Sequence, residues 1–415
     1  MTTPSQDRLT IGATGAFERD NFGDLLYPMM LRDAWAAWAH TALLSRFPVS
    51  TEDLLGQAVL DYDDAVSTQH FDALVLTGGA SVPISMTRAV QLQDHEPPVL
   101  HEDPHGLPYV PEVNPRGVNA DTPVFINSAG VWPTGSMRVR HRRRLLRTLQ
   151  GAQLITVRDR ESAELLDSWN LSAHLAPDAV HALSQYWPLS AHDRAPARVA
   201  IQLSDEFLDE HGDAAVRQGL LEAGRVAVER GLDEIVLFAA GVAPGHDDLG
   251  RMESLARTLG EDLGMVARIS QERSPRDIVA LIAGSGLVIG HSLHVRVVAA
   301  SYDVPRVSLR RAKTEAYSRS WDPAMPSGTA PARLATAVSE ALSDDRRSTA
   351  SADARSLVRH ATGMVEHLGS DIRWWSGRRA EVGRIRRGVN RRNDALKVAD
   401  TVVSAGRRAR ASVGR

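Results

Sequence analysis

Short runs of apolar, β-branched residues alternate along the chain with stretches whose apolar positions recur every three or four residues. Strands alternating with helices predict βαβ units and a mainly parallel sheet. In the first half, residues 9–15 (LTIGATG), 71–79 (FDALVLTGG), 123–130 (PVFINSAG) and 153–159 (QLITVRD) read as strands. Residues 24–45 have helical spacing, and 160–169 form the helix after the fourth strand. The polar, proline-containing stretch 184–197 reads as a linker, after which the alternation restarts. Strands are predicted at 198–204, 234–241, 286–290 and 305–309, with helices at 213–231, 247–260, 274–285 and 293–302. Ser274 followed by Pro275 is a strong helix start, because proline at the first helical position gives up an amide that would be unpaired anyway. The pattern predicts an α/β protein with two Rossmann-like, doubly wound domains facing a cleft, over residues 1–190 and 198–345. Residues 85–121 are rich in proline and lack a period; they are expected to form a long irregular loop near the cleft rim.

A chain of 415 residues is too long for one ordinary core, which agrees with two domains. Its net charge of −3 hides an asymmetry. Residues 346–415 carry 17 Lys+Arg against 6 Asp+Glu, a net of +11, so the remainder carries −14. An acidic body is therefore joined to a basic tail, expected to be helical or partly disordered. Glycines at 363, 369, 377, 383, 388 and 406, each costing about 1 kcal/mol in a helix interior, argue against one long helix there. Leu357, Val358, Ala361, Val365 and Leu368 fit an amphipathic segment that packs on the body. The arginines with Trp374 and Trp375 suit an anionic membrane surface, and no nucleic-acid-binding module is recognisable. A second basic stretch, 139–149 (VRHRRRLLRTL), reads as a solvated helix face or as a dock for an anionic acceptor.

The absence of cysteine excludes disulfides, thiolate nucleophiles and cysteine-ligated metal. With a polar amino terminus and no apolar run near the roughly 18 residues that span a bilayer, the expected location is the cytoplasm, peripheral at the inner membrane face through the tail. Lysine occurs only at 313 and 397, which reads as a compositional bias toward arginine.

Ligands of doubly wound sheets sit outside the carboxyl ends of the strands, where glycine turns and helix amino termini meet phosphates. Four places qualify. The first holds Gly12, Gly15, Asn21 and Asp24, with Asp24 expected to cap the next helix. The second holds Gly78 and Gly79. The third places Arg158 at a strand end, where guanidinium geometry matches phosphate or carboxylate. The fourth places His294 in the first turn of a helix capped by Ser292, where an imidazole can act as general acid or base. A plain turn or a surface charge cluster is the competing reading at each place. His291 and His294 lack an acidic cluster beside them, so no metal site is expected.

Taken in order, these elements resemble the polysaccharide pyruvyltransferase family. The resemblance covers about residues 8–310. It rests on Asn21-Phe22-Gly23-Asp24, Gly78-Gly79, Gly130 to Pro133, Arg158-Asp159 with Ser162 and Glu164-Leu165-Leu166, Asp178, Ser274-Pro275 through Ile282, Val288-Ile289-Gly290, Ser292-Leu293-His294 and Val304-Pro305. It implies a GT-B-like fold and transfer of pyruvate from phosphoenolpyruvate to hydroxyls of a glycan or lipid-linked glycan, with no separate cofactor. It further implies His294 as general acid and Arg158 as anion clamp. Where the family has an arginine two residues before the histidine, this chain has Ser292; Arg296, one helical step on, is expected to stand in for it. A sugar-nucleotide glycosyltransferase on a similar fold, and a non-catalytic protein binding glycan or membrane, are the alternatives.

Overall fold

The computed structural model describes residues 8–82, 84–93, 103, 106–132, 139–243 and 246–392. The first lobe runs β1 (Leu9–Thr14), α1 (Phe22–Trp35), β2 (Ala39–Ser45), α2 (Glu52–Leu55), β3 (Val59–Asp61), α3 (Tyr62–Thr68), β4 (Ala73–Leu76) and α4 (Met86–Gln91). It continues through β5 (Val124–Ala129), α5 (Val139–Gln150), β6 (Leu154–Val157), α6 (Arg160–Ser168), β7 (His174–Leu175) and the short α7 (Leu183–Tyr186). The second lobe runs β8 (Ala195–Gln202), α8 (Asp205–His211), α9 (Asp213–Glu229), β9 (Glu234–Leu237), α10 (Leu249–Leu263), β10 (Val266–Ile269) and α11 (Pro275–Gly284). After these come β11 (Ser285–Gly290), α12 (Leu293–Ser301), β12 (Arg306–Ser308), α13 (Ala312–Trp321), α14 (Leu334–Ala341) and α15 (Asp344–Ser376). A terminal helix occupies 379–392.

Each lobe is built on one all-parallel sheet, ordered β3-β2-β1-β4-β5-β6-β7 and β10-β9-β8-β11-β12. Both orders reverse direction beside their first strand, the topological switch point at which doubly wound sheets bind ligands. The carboxyl ends of the two sheets meet: the Phe22 amide after β1 donates to the Ala240 carbonyl after β9 (2.8 Å), and Arg158 after β6 reaches His294 after β11. The lobes share a core: Phe22, Leu25, Leu26 and Met29 of α1 join Ile278 and Ile282 of α11 and Leu293 and Val297 of α12. Removing each such side chain from water stabilises by roughly 1.5–3 kcal/mol.

Three expectations change. The helical spacing read over 24–45 ends at Trp35, and residues 39–45 are β2, paired in parallel with β1 from Leu9↔Ala39 to Thr14↔Leu44. A short apolar run is ambiguous by period alone, and the open edge of β1 decides it. The strand β10 also escaped the pattern, because as an edge strand it leaves Val266 62% exposed. Most importantly, the tail is not broken at Gly363 or Gly369: α15 is one helix of 33 residues that ends only at Gly377. It buries Ala350, Ala354, Leu357, Ala361, Val365, Leu368 and Ile372, a three-to-four spacing that crosses from the second core to the shared one. Gly369 lets α15 pack closely on the first lobe, since a Cβ there would lie 3.0 Å from Trp38 Cζ2 and 3.3 Å from Trp35 Nε1. No helix among the described residues is long and apolar enough to cross a membrane.

Candidate functional site

The loop after β1 turns into α1 through Asn21. The Asn21 Oδ1 accepts the amide of Gly23 (3.2 Å) and its Nδ2 donates to Asp24 Oδ2 (2.9 Å). Asn21 is thus the helix cap, the role expected of Asp24. Asp24 instead pairs with Arg19 (3.1 Å) and leaves its Oδ1 3.0 Å from where a Cβ of Gly79 would stand. Gly79 has φ +91°, a backbone conformation that favours glycine. Its neighbour Gly78 lets the Tyr27 ring lie 2.3 Å from where a Cβ would be. Gly12 does not reach the cleft. It sits inside β1 among Leu44, Phe71 and Leu74, so its smallness serves sheet packing. Gly15 packs on Phe17 and Thr77 and shapes the turn. Pro133 of the expected Gly-x-x-Pro turn lies outside the described residues.

Against this wall stand two residues brought from opposite lobes. Arg158 follows β6, and His294 lies in the first turn of α12; Arg158 Nη1 is 3.4 Å from His294 Nε2. Tyr27 and Asp178 complete the group. Arg158 Nη1 donates to Tyr27 Oη (2.8 Å) and to Asp178 Oδ2 (2.9 Å). Tyr27 Oη donates to Asp178 Oδ2 (2.6 Å) and lies 3.0 Å from His294 Nε2. The His294 ring rests on Gly23, where any Cβ would fall 2.0 Å from its Nδ1. Only a glycine in α1 permits that approach. The Nε–H of Arg158 is buried with no partner among the described residues, and this edge packs on Gly130, where a Cβ would lie 3.3 Å from Nε. An unpaired guanidinium donor in an otherwise satisfied site is a ready anion contact.

Charge in this group is set by burial and by mutual fields. Burial pushes the His294 imidazole down to about 4, against the pull of Asp178 and helped by Arg158, so the ring is neutral at pH 7. Burial alone would raise the Asp178 carboxyl, but Arg158 above all, then His294, hold it below the ordinary range. Tyr27 is pushed well above the usual phenol value by burial, partly opposed by Arg158, and keeps its proton. Lys313, in the first turn of α13, makes no hydrogen bond or ion pair with another described residue. Burial first, then Arg311 and Arg158, depress its ammonium to about 7. Its field is felt at Asp24 and at His294. An unpaired cation held at the edge of losing its charge stabilises itself by meeting an anion.

Arg296 does not compensate for Ser292. It points away from the cleft, donating to Ser308 Oγ, and to the carbonyls of Pro326, Asp322 and Met325, each at 2.8–2.9 Å. Its Nε lies 2.9 Å from Asp322. The helix α12 is buried on every side, so an i+4 relation to Ser292 does not mean a shared view of the cleft. Ser292 itself sends its amide to Gln202 Oε1 (2.8 Å). His291 is clamped between Ser204 Oγ at Nδ1 (2.6 Å) and the Arg310 carbonyl at Nε2 (3.0 Å). Both its nitrogens are used, and no metal-ligating group of three occurs among the described residues. The described part of the 85–121 stretch sends Tyr109 inward, where its hydroxyl donates to Glu18 (2.5 Å) behind Arg19.

These charges predict a pH effect. His181 and His294 are held near 4, and His291 near 3, whereas the unfolded chain takes up their protons near 6.5. A folded value below the unfolded one means stability present above about pH 6.5 and lost as pH falls toward 4. At pH 5 the loss is roughly 2 kcal/mol per histidine. Asp247, pushed up to about 7 by burial, and Glu18 and Asp159, also raised by burial, work in the opposite direction, while His246, lowered to about 4, adds to the loss. The melting temperature is therefore expected to drop several degrees between pH 7 and pH 5 in calorimetry.

A family model of polysaccharide pyruvyl transferase matches residues 117–312. The span contains Arg158, Asp178, Ser292 and His294, and over it the resemblance read from the motifs is borne out. Among curated proteins nothing matches. Solved structures do, at low identity. A protein described as a UDP-N-acetylglucosamine 2-epimerase from Listeria monocytogenes is 12% identical with a TM-score of 0.55, covering 88% of this chain and 96% of its own. The MnaA–UDP complex of S. aureus is 12% identical with a TM-score of 0.51, over 88% and 96%. The UDP-GlcNAc 2-epimerase of Neisseria meningitidis bound to UDP-GlcNAc is 12% identical with a TM-score of 0.50, over 86% and 98%. At such identity the likeness concerns the fold alone, a GT-B-like pair of parallel-sheet lobes.

Proposed function

Taking the polysaccharide pyruvyl transferase match over residues 117–312 as premise, we propose that the chain moves the pyruvyl group of phosphoenolpyruvate onto hydroxyls of a polysaccharide precursor. The observation that carries this reading is the meeting of His294 and Arg158 across the cleft, 3.4 Å apart, beside a lysine with no partner among the described residues. The donor carries a phosphate and a carboxylate, and Arg158 Nε and the Lys313 ammonium are the two uncommitted cationic donors near the histidine. Lys313 then supplies the charge that Ser292 lacks.

Donor binding sets the acid. An anion beside His294 raises its pKa from about 4, so the ring takes up its proton when there is a donor to use it. The proton goes to the methylene carbon, C2 becomes electrophilic, and a sugar hydroxyl oxygen bonds to it while giving up its own proton. The first hydroxyl's proton returns to His294, the C2–O bond to phosphate breaks with the electron pair going to phosphate, and a second hydroxyl closes the ketal as its proton passes to that phosphate. Tyr27 and Asp178 hold the imidazole and guanidinium in register. Asp24 Oδ1, with no hydrogen bond from a described residue, is placed to accept from a sugar hydroxyl.

The test is phosphate release from phosphoenolpyruvate over a panel of acceptor glycans, with nucleotide sugars run in parallel. Release with at least one glycan, lost in His294→Ala, supports the reading. Turnover of a nucleotide sugar with phosphoenolpyruvate untouched overturns it. The lysine gives a finer check. Lys313→Ala is expected to raise the donor KM about tenfold, as for one charge-assisted contact, with a smaller change in kcat. Because Lys313 loses charge as pH rises through about 7, wild-type donor KM is expected to climb above that pH, and the climb is expected to vanish in Lys313→Arg.

A further inference from the structure

Away from the cleft, the amino-terminal edge of the first sheet carries a groove of about 710 Å³ between α5 and the terminal helix. It opens beside Val124 and Gly151, the start of β5 and the residue three before β6. Arg158 lies at the opposite end of β6, and a six-residue strand such as β5 spans about 20 Å. Groove and catalytic cleft are thus on opposite edges of one sheet.

The walls are basic. Arg140, Arg143, Arg144 and Arg147 come from α5 and Arg386 from the terminal helix, with Glu112 as the one acid lining the groove. Arg144 is spent on Glu112 and Asp103. Among the described residues Arg386 donates to main-chain carbonyls, of Ala120 (2.5 Å) and Thr122 (2.7 Å), which orient it without cancelling its charge. The Nε–H of Arg147 is buried and unpartnered among the described residues. Next to these arginines in sequence stand exposed apolar side chains, Val139 (65%) before Arg140 and Ile385 (38%) before Arg386. A basic groove on elements that also expose apolar side chains is the pattern of a surface that meets lipid headgroups.

We propose that this groove seats the phosphate headgroup of an anionic lipid and holds the protein against an anionic bilayer, with the catalytic cleft turned away from the surface. The terminal helix is part of the site, which gives the strap formed by α15 and residues 379–392 a purpose beyond packing: it carries Arg386 from the second lobe's end of the chain back to α5. The proposal does not depend on the reaction assigned to the cleft.

The test is co-sedimentation of the full chain with vesicles of phosphatidylcholine alone and of phosphatidylcholine mixed with phosphatidylglycerol. Binding is expected only to the mixed vesicles and is expected to be reversed by high salt. Each arginine near such a surface is worth roughly fivefold in partitioning, so Arg140→Ala/Arg143→Ala/Arg147→Ala is expected to bind about a hundredfold more weakly. Arg140→Glu, on the exposed rim, reports the same loss should the triple variant melt early. Equal binding to both vesicles, or undiminished binding by the variants, overturns the proposal and assigns any attraction to other basic residues. Binding of inorganic pyrophosphate in calorimetry without vesicle binding also overturns it, because the groove would then serve a soluble anion.

Discussion

Replacing His294 with glutamine is expected to lower kcat for pyruvyl transfer by about 10²–10⁴-fold, the usual contribution of a positioned acid, while leaving the fold in place. Glutamine keeps a polar amide near Tyr27 Oη and Arg158 Nη1, the two groups that hold His294 Nε2 at 3.0 and 3.4 Å, but it cannot supply a proton. The donor KM is expected to move little, because the proposed reaction assigns the anion contacts to Arg158 and Lys313. Steady-state phosphate release at varied phosphoenolpyruvate separates the two parameters. A variant that loses donor affinity and keeps kcat would recast His294 as a binding residue.

Substitution at Arg158 is expected to produce the other large effect, and here two variants part company. In Arg158→Met the carboxylate of Asp178, 0% exposed, loses the cation 2.9 Å away. A buried charge left without its partner destabilises by about 3–5 kcal/mol, which is expected to appear as a fall of many degrees in melting temperature. Arg158→Lys keeps the charge but not the Nε edge that faces Gly130. It is expected to fold and to raise the donor KM about 10–100-fold, the worth of one charge-assisted contact. Urea titration of both variants beside donor KM for the lysine variant distinguishes the structural share of Arg158 from its share in anion binding. Equal KM in wild type and Arg158→Lys would remove Arg158 from the donor site.

Much of this architecture is legible in the chain because parallel strands buried on both faces write themselves as short apolar runs, and most of those runs are strands of the two sheets. The run 39–45 failed because period cannot separate a seven-residue strand from the end of a helix; only the neighbour β1 does so. The tail failed in the opposite direction. Glycine propensity at 363 and 369 argued for a broken segment, yet the buried stripe from Ala350 to Ile372 outweighs it, and Gly369 lets the helix pack closely on Trp35 and Trp38.

The site divides along similar lines. Arg158 and His294 could be picked out because each stands where a strand gives way to a helix, the place where a doubly wound fold presents side chains to a cleft. Tyr27 could not, since an aromatic in the middle of an apolar helix reads as core, and most of its ring is indeed core. Asp178 was visible only through the family resemblance. Lys313 was passed over as a compositional accident, although a lysine that interrupts a habit of arginine is itself a signal: the compact ammonium loses its charge more readily on burial than guanidinium does. Arg296 shows the limit of helical arithmetic, which assigns a face but not what that face meets. Gly12 shows the same for glycine motifs, where a small residue in a strand serves neighbouring leucines as readily as a ligand.

Transfer in deuterium oxide tests the central claim most directly, by mass spectrometry of the acceptor glycan after reaction with phosphoenolpyruvate. If His294 delivers a solvent-derived proton to the methylene carbon, each new ketal is expected to carry a single deuterium in its methyl group, formed in step with released phosphate and about 10²–10⁴-fold more slowly with His294→Gln. A glycan that returns unmodified while phosphoenolpyruvate stays intact across the acceptor panel, or a ketal formed at the wild-type rate by the glutamine variant, would contradict the account.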